Sequence, residues 1–103
     1  MIPGYNNFYA LLKGISKINV RDIFVKNNWN CRKESWFDFE LTSSWSELIL
    51  HGDEQEPLIS GSIIYNDMNF KIIDQLFISL HAAFAYEFYD EQHVLLDEKK
   101  SDY

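Results

Sequence analysis

The sequence has a single cysteine, only four glycines and two prolines among its 103 residues. One cysteine cannot form an internal disulfide, whereas a secreted domain of this size usually carries an even set of cysteines. The first ten residues lack the basic segment, apolar run and small-residue cleavage site of a secretory signal peptide. We therefore expect the chain to reside in the reducing cytoplasm.

Long apolar segments are also missing from the sequence. The longest nearly apolar stretch covers residues 76–86 and is interrupted by Ser79 and His81. A segment that crosses a bilayer needs roughly 20 apolar residues. We therefore expect no membrane partner.

The motifs that carry common chemistries are not found either. The glycines are isolated, which excludes a phosphate-binding loop and a dinucleotide fingerprint. There is no Gly-x-Ser-x-Gly elbow, and Cys31 has basic neighbours but no histidine close in sequence to act as its base. Residues 51–56 match neither a zinc-protease motif nor a calcium loop. We expect that the protein is not an enzyme and binds no cofactor and no metal.

Basic residues are few, and their distribution is uneven. Nine Lys and Arg face sixteen Asp and Glu, for a formal net charge of −7. Residues 1–35 contain six basic and two acidic side chains, whereas residues 36–103 contain three basic and fourteen acidic ones. A phosphate backbone requires clustered cations, so we expect no direct binding to nucleic acid. The electrostatic field of such a charge distribution favours association with a basic protein partner.

The composition is 47 % hydrophobic and 17 % aromatic, which excludes a disordered or low-complexity chain. We expect one domain over residues 1–103, with a frayed polar tail over residues 97–103.

Three segments have apolar residues at helical spacing. The first covers residues 7–16 and begins at the N-cap candidate Asn7. The second is a short helix that begins near Asn19. The third is predicted over residues 69–89 as one long, largely buried helix with Asp67 as its cap.

Four segments have the composition and alternation of strands. They cover residues 36–41, 45–51, 58–65 and 93–96, and Gly61 in the third is a candidate bulge. The first two are predicted to form a hairpin in which paired residue numbers sum to 85 or 87. That register places the apolar residues on one face: Phe37, Phe39, Leu41, Leu48 and Leu50. It gathers acidic and aromatic residues on the other: Trp36, Asp38, Glu40, Trp45, Glu47 and His51.

These segments predict an α+β domain in the order α-α-β-β-β-α-β. A short antiparallel sheet would pack on the one long buried helix.

Acidic side chains and one tryptophan are the candidate partner-binding residues. Large aromatic anchors beside charged groups are typical of surfaces that bind another protein. Alternatively, a helix covers the second sheet face, the tryptophans are core residues, and the acids serve only solubility. The candidates, with Trp45 as the anchor, are Asp38, Glu40, Trp45, Glu47, Asp53, Glu54, Glu56, Glu87, Asp90 and Glu91.

A chain of about a hundred residues that is acidic, aromatic, rich in Ile and Asn and free of catalytic motifs resembles a known class. This class comprises the immunity proteins of bacterial contact-dependent growth inhibition and related polymorphic toxin systems. The resemblance implies a cognate toxin domain as partner, commonly a nuclease with a basic groove that the immunity protein occludes. Two alternatives stay open: a nucleic-acid-mimicking inhibitor of a host DNA- or RNA-binding protein, and a small enzyme or ligand-binding domain.

Overall fold

One antiparallel sheet dominates the computed structural model, which describes residues 1–102. Along the described chain the elements are β1 (Phe8–Lys13), α1 (Lys17–Lys26), β2 (Asn30–Lys33), β3 (Phe39–Ser43), β4 (Ser46–Gly52), β5 (Pro57–Ile63), α2 (Asp67–Ser79), β6 (Ala83–Tyr89) and β7 (Leu95–Ser101). The strand order in the sheet is β2-β3-β4-β5-β1-β6-β7, so β1 lies between strands that come much later in the chain.

The predicted order α-α-β-β-β-α-β and the long buried helix are wrong. The segment predicted as a helix over residues 7–16 is strand β1, and the helix predicted over residues 69–89 ends at Ser79 and is followed by β6. Both segments contain apolar residues that satisfy the two-residue period as well as the helical one. Long-range pairing decides between them, because β1 forms ladders with both β5 and β6.

The C-terminal segment is also more ordered than predicted. The strand predicted over residues 93–96 shares only Leu95 and Leu96 with β7, which pairs with β6 as far as Ser101. Most of the predicted frayed tail over residues 97–103 is therefore in the sheet, and Tyr103 lies outside the described residues.

The predicted hairpin is present with a shifted register. Phe39 lies opposite Leu50 and Leu41 opposite Leu48, so paired numbers sum to 89 rather than 85 or 87. The sum is odd, as predicted, and Leu41, Leu48 and Leu50 therefore share the buried face. The bulge predicted at Gly61 is not found, since Gly61 pairs in register with Leu48 and Phe8.

The core lies between one sheet face and the two helices. Helix α1 contacts β2, β3 and β4, and α2 packs on the β1–β6 side, where Phe77 contacts Phe8, Phe84 and Tyr86. The opposite sheet face carries no helix among the described residues; we call it the open face.

Side-chain caps set the helix starts. Ser16 accepts a hydrogen bond from the Asn19 backbone N–H at 3.1 Å, so α1 begins at Lys17 rather than at Asn19. Asn66, not the predicted Asp67, caps α2 by accepting from the Asn69 N–H at 2.8 Å. Neither helix of the described chain has the length and apolarity to cross a membrane.

Candidate functional site

Two hairpin loops lie at the same end of the sheet. The β2–β3 loop covers residues 34–38 and the β4–β5 loop covers residues 53–56. Both flank the ends of paired strands, because Phe39 pairs with Leu50 and Gly52 with Pro57. We call residues 34–38 and 53–56 together the loop-end surface.

The β2–β3 loop is closed by its own backbone. The Asp38 carbonyl oxygen accepts hydrogen bonds from the Glu34 N–H at 2.9 Å and from the Ser35 N–H at 3.4 Å. These bonds join the two ends of the loop and leave residues 36 and 37 at its tip.

Lys17, the first residue of α1, fastens both loops. Its backbone N–H, one of the free donors of a first helical turn, donates to the Glu54 carbonyl oxygen at 2.9 Å. Its ammonium nitrogen donates to the Phe37 carbonyl oxygen at 2.9 Å and lies 3.6 Å from an Asp38 carboxylate oxygen. The Lys17 side chain is only 2 % exposed. A buried lysine is tolerated when its ammonium is paired and hydrogen-bonded. The contacts of Lys17 therefore fix both loops relative to α1.

Two large aromatic side chains at the loop tip are unusually exposed. Trp36 is 78 % and Phe37 is 70 % accessible to solvent. The Lys33 ammonium lies 5.0 Å from the centre of the Trp36 ring, a cation–π contact that orients the indole. Two aromatic rings on a fastened loop are suited to fill pockets of a partner.

The loop-end surface is acidic as well as aromatic. It contains five carboxylates and no basic side chain: Glu34, Asp38, Asp53, Glu54 and Glu56. The three acids of the β4–β5 loop are exposed, whereas Asp38 is partly engaged by Lys17. Four of the ten predicted candidates therefore meet here, beside two aromatic residues.

Three other predicted residues lie on the open face. Glu40 and Glu47 are on the neighbouring strands β3 and β4, and Glu87 is on β6, beyond β5 and β1. Glu40 forms an ion pair with Arg32 at 3.1 Å. These acids are spread across the sheet and are not gathered with the loop-end surface.

The last three predicted residues lie at the opposite end of the sheet. Trp45, the predicted anchor, is in the β3–β4 turn, where its half-buried ring packs edge-on against Trp29 with ring centres 5.3 Å apart. Asp90 and Glu91 are in the β6–β7 loop, and the Asp90 carboxylate accepts hydrogen bonds from two backbone N–H groups of that loop.

Sequence reasoning missed four residues of this site. The predicted acidic face includes Trp36, but the predicted anchor is Trp45, and Glu34 belongs to the N-terminal third that the charge count treats as basic.

Alternation predicts Phe37 on the buried face with Phe39 and Leu41, but β3 begins only at Phe39, so Phe37 lies in the loop. In the sequence, Lys17 is distinguished only as one of the six basic residues of the N-terminal third. A signal for it existed, since Lys17 follows the cap residue Ser16 and thus occupies the first helical position.

A shallow depression of about 320 Å³ lies on the open face, where β1, β6 and β7 meet. Glu87 and Glu98 lie directly opposite each other in this region, on adjacent strands. Hydrogen bonding to the Glu87 carboxylate raises the pKa of the Tyr89 phenol nearby. Side chains that line the depression include Tyr9, Leu11, Ala85, Glu87, Glu98 and Lys100.

Cys31 is half-buried on β2, outside the loop-end surface. Burial raises the pKa of the Cys31 thiol, and this effect outweighs the lowering by the nearby Arg21 charge. Within residues 1–102, no three His, Cys, Asp or Glu side chains are grouped so that they could hold a metal ion.

Comparison of the chain with models of known protein families, with curated proteins and with solved structures finds no match.

Proposed function

We propose that this protein is a cytoplasmic inhibitor that binds a basic protein partner through the loop-end surface. The partner we propose is a cognate toxin domain, as expected for an immunity protein of a bacterial toxin system. A nuclease fits best, because its substrate groove must be basic to hold phosphates. In this proposal the protein acts by occlusion and carries out no reaction of its own.

The observation that carries the proposal is that Lys17 fastens two acidic loops, one of which also carries two exposed aromatic side chains. Ordering a loop on binding costs free energy, so a surface that is already ordered binds more tightly for the same contacts. Exposed apolar side chains that adjoin one another are the kind of patch that marks an interaction site, and Trp36 and Phe37 are adjacent and both exposed. The loop-end surface combines this preorganisation with five carboxylates.

The carboxylates and the aromatic rings affect different steps of binding. Exposed carboxylates attract a basic groove at long range and raise the association rate in a salt-sensitive way. The rings of Trp36 and Phe37 would then be buried in the complex and slow its dissociation. Carboxylates of the β4–β5 loop would occupy the positions that substrate phosphates normally take.

Affinity capture from a lysate of the native bacterium tests the proposal. Three baits are compared at low and raised salt: the unmodified chain, a Trp36→Ala/Phe37→Ala variant and a Met68→Ala/Val94→Ala variant. The last pair removes two exposed apolar side chains far from the loop-end surface and is the matched control. We expect one basic protein to be retained by the unmodified chain and by the control, and to be lost from the Trp36/Phe37 variant and at raised salt.

The captured protein is then expressed alone and together with each bait. Arrest of growth by the captured protein, with rescue by the unmodified chain and not by the Trp36/Phe37 variant, supports an immunity function. Equal capture by all three baits would place the interface elsewhere. A captured host DNA- or RNA-binding protein that is not toxic would overturn the toxin assignment in favour of nucleic-acid mimicry.

A further inference from the structure

Strand β7 is an edge of the sheet, and it carries charges of both signs. Its inner side pairs with β6 along its length, whereas its outer backbone groups have no strand beside them among the described residues. Natural edges are usually blunted by charge, which prevents pairing with another strand. Here the sequence Asp97-Glu98-Lys99-Lys100 changes from acidic to basic along the strand. An antiparallel copy of such a strand presents the opposite order of charges.

Geometry restricts how two β7 strands can pair. Edge-to-edge antiparallel pairing by a two-fold axis perpendicular to the sheet leaves the open face on the same side in both copies. Directly opposite residues must then share a face, so their numbers sum to an even value. A sum of 196 sets Glu98 against its own copy, which is repulsive. A sum of 198 sets Glu98 against Lys100 twice, once on each side of the axis.

The second register also satisfies the other charges of the strand. It places Lys99 opposite its own copy, but the Lys99 ammonium is already paired with the Asp74 carboxylate at 2.5 Å. It brings a second Lys100 beside Glu98, which in the single chain lies directly opposite the like-charged Glu87. A like-charged pair facing across strands is destabilising, and the added cation offsets it.

We propose that β7 is a self-pairing edge through which two copies of this chain form a dimer with one continuous fourteen-stranded sheet. The inference is independent of the proposed toxin partner. Strand β3, next to the loop-end surface, lies five strands from β7, about 24 Å at the usual strand spacing. The dimer therefore leaves both loop-end surfaces uncovered.

Sedimentation equilibrium over a range of protein concentrations tests the proposal with two complementary variants. Glu98→Lys sets Lys against Lys across the axis, and Lys100→Glu sets Glu against Glu. We expect each variant alone to raise the dimer dissociation constant by about tenfold or more, since two attractive pairs become repulsive. An equimolar mixture should restore association. In the mixed dimer, the lysine introduced at position 98 of one variant faces the glutamate introduced at position 100 of the other, and the native Lys100 faces the native Glu98. Glu91→Lys makes the same charge change in the β6–β7 loop and is expected to leave association unchanged.

Misfolding is separated from lost pairing by circular dichroism at dilute concentration. Glu98→Lys should keep the fold, since it replaces the repulsion with Glu87 by an attraction. Impaired single variants and a restored mixture support the β7 dimer. Monomeric behaviour of the unmodified chain at millimolar concentration and low salt overturns it. Dimerisation that neither variant changes overturns it as well, because the interface then lies elsewhere.

Discussion

Replacing Lys17 by Met removes the charge that fastens the loop-end surface and keeps an apolar side chain of similar length. The buried ammonium donates to the Phe37 carbonyl oxygen at 2.9 Å and pairs with Asp38 at 3.6 Å. The backbone N–H to Glu54 is retained in the variant. The substitution therefore frees the β2–β3 loop and leaves α1 anchored to the β4–β5 loop.

The magnitude follows from the burial of the groups. A hydrogen bond from a charged donor contributes about 1.5–3 kcal/mol. The ion pair adds less than about 1 kcal/mol, because the Asp38 side chain is 34 % exposed and can be hydrated. The methionine side chain carries no charge that must be desolvated, which offsets part of the loss. We expect Lys17→Met to lower the free energy of unfolding by about 2 kcal/mol, and the melting temperature by about 8–16 °C for a domain of this size.

Urea denaturation followed by tryptophan fluorescence and circular dichroism measures the loss. Lys13→Met, the same substitution at an exposed lysine of β1, is the control and is expected to stay within about 0.5 kcal/mol of the unmodified chain. Partner affinity should fall together with loop order in the Lys17 variant. If Lys17→Met and Lys13→Met have the same stability, Lys17 does not fasten the loops and the reasoning is refuted.

Three further predictions concern the scaffold. Gly61→Ala should prevent folding or lower the free energy of unfolding by more than about 3 kcal/mol, because a Cβ there overlaps the backbone of β4. Expression and thermal melting measure the effect, and a stable variant would contradict the fold. Burial and the hydrogen bond to Asp74 raise the pKa of Tyr86, so the unfolded chain loses the phenolic proton at a lower pH than the folded chain does, and stability should fall as pH rises above about 10. Urea titrations at increasing pH should give a smaller slope for Tyr86→Phe than for the unmodified chain, and equal slopes would contradict the burial of this phenol. Trp45→Ala should lower stability by about 2 kcal/mol through the lost packing on Trp29, whereas the folded variant should keep partner affinity if the loop-end surface is the interface.

Local patterns predicted the elements whose partners are close in the chain. The β3–β4 hairpin and its odd register follow from alternation on two neighbouring segments joined by a short turn. Helix α1 follows from its spacing and nearby polar caps. Strands β1 and β6 could not be predicted in this way. Their residues satisfy both periods, and the choice depends on pairing between segments about 75 residues apart.

The composition of the site could be predicted, but its arrangement could not. The excess of carboxylates after residue 35 is visible in the sequence, and four of those acids form part of the loop-end surface. The exposure of Phe37 depends on where β3 begins, which alternation alone placed three residues too early. The role of Lys17 depends on contacts with Phe37 and Glu54, which are 20 and 37 positions away along the chain.

Hydrogen–deuterium exchange of this protein, alone and in complex with its captured partner, tests the central claim most directly. Backbone amides of residues 34–38 and 53–56 should become protected in the complex, while amides of β6 and β7, at the far side of the sheet from β3, exchange at the same rate in both states. Protection confined to β6, β7 or α2, with both loops unchanged, would contradict the assignment of the loop-end surface as the binding site.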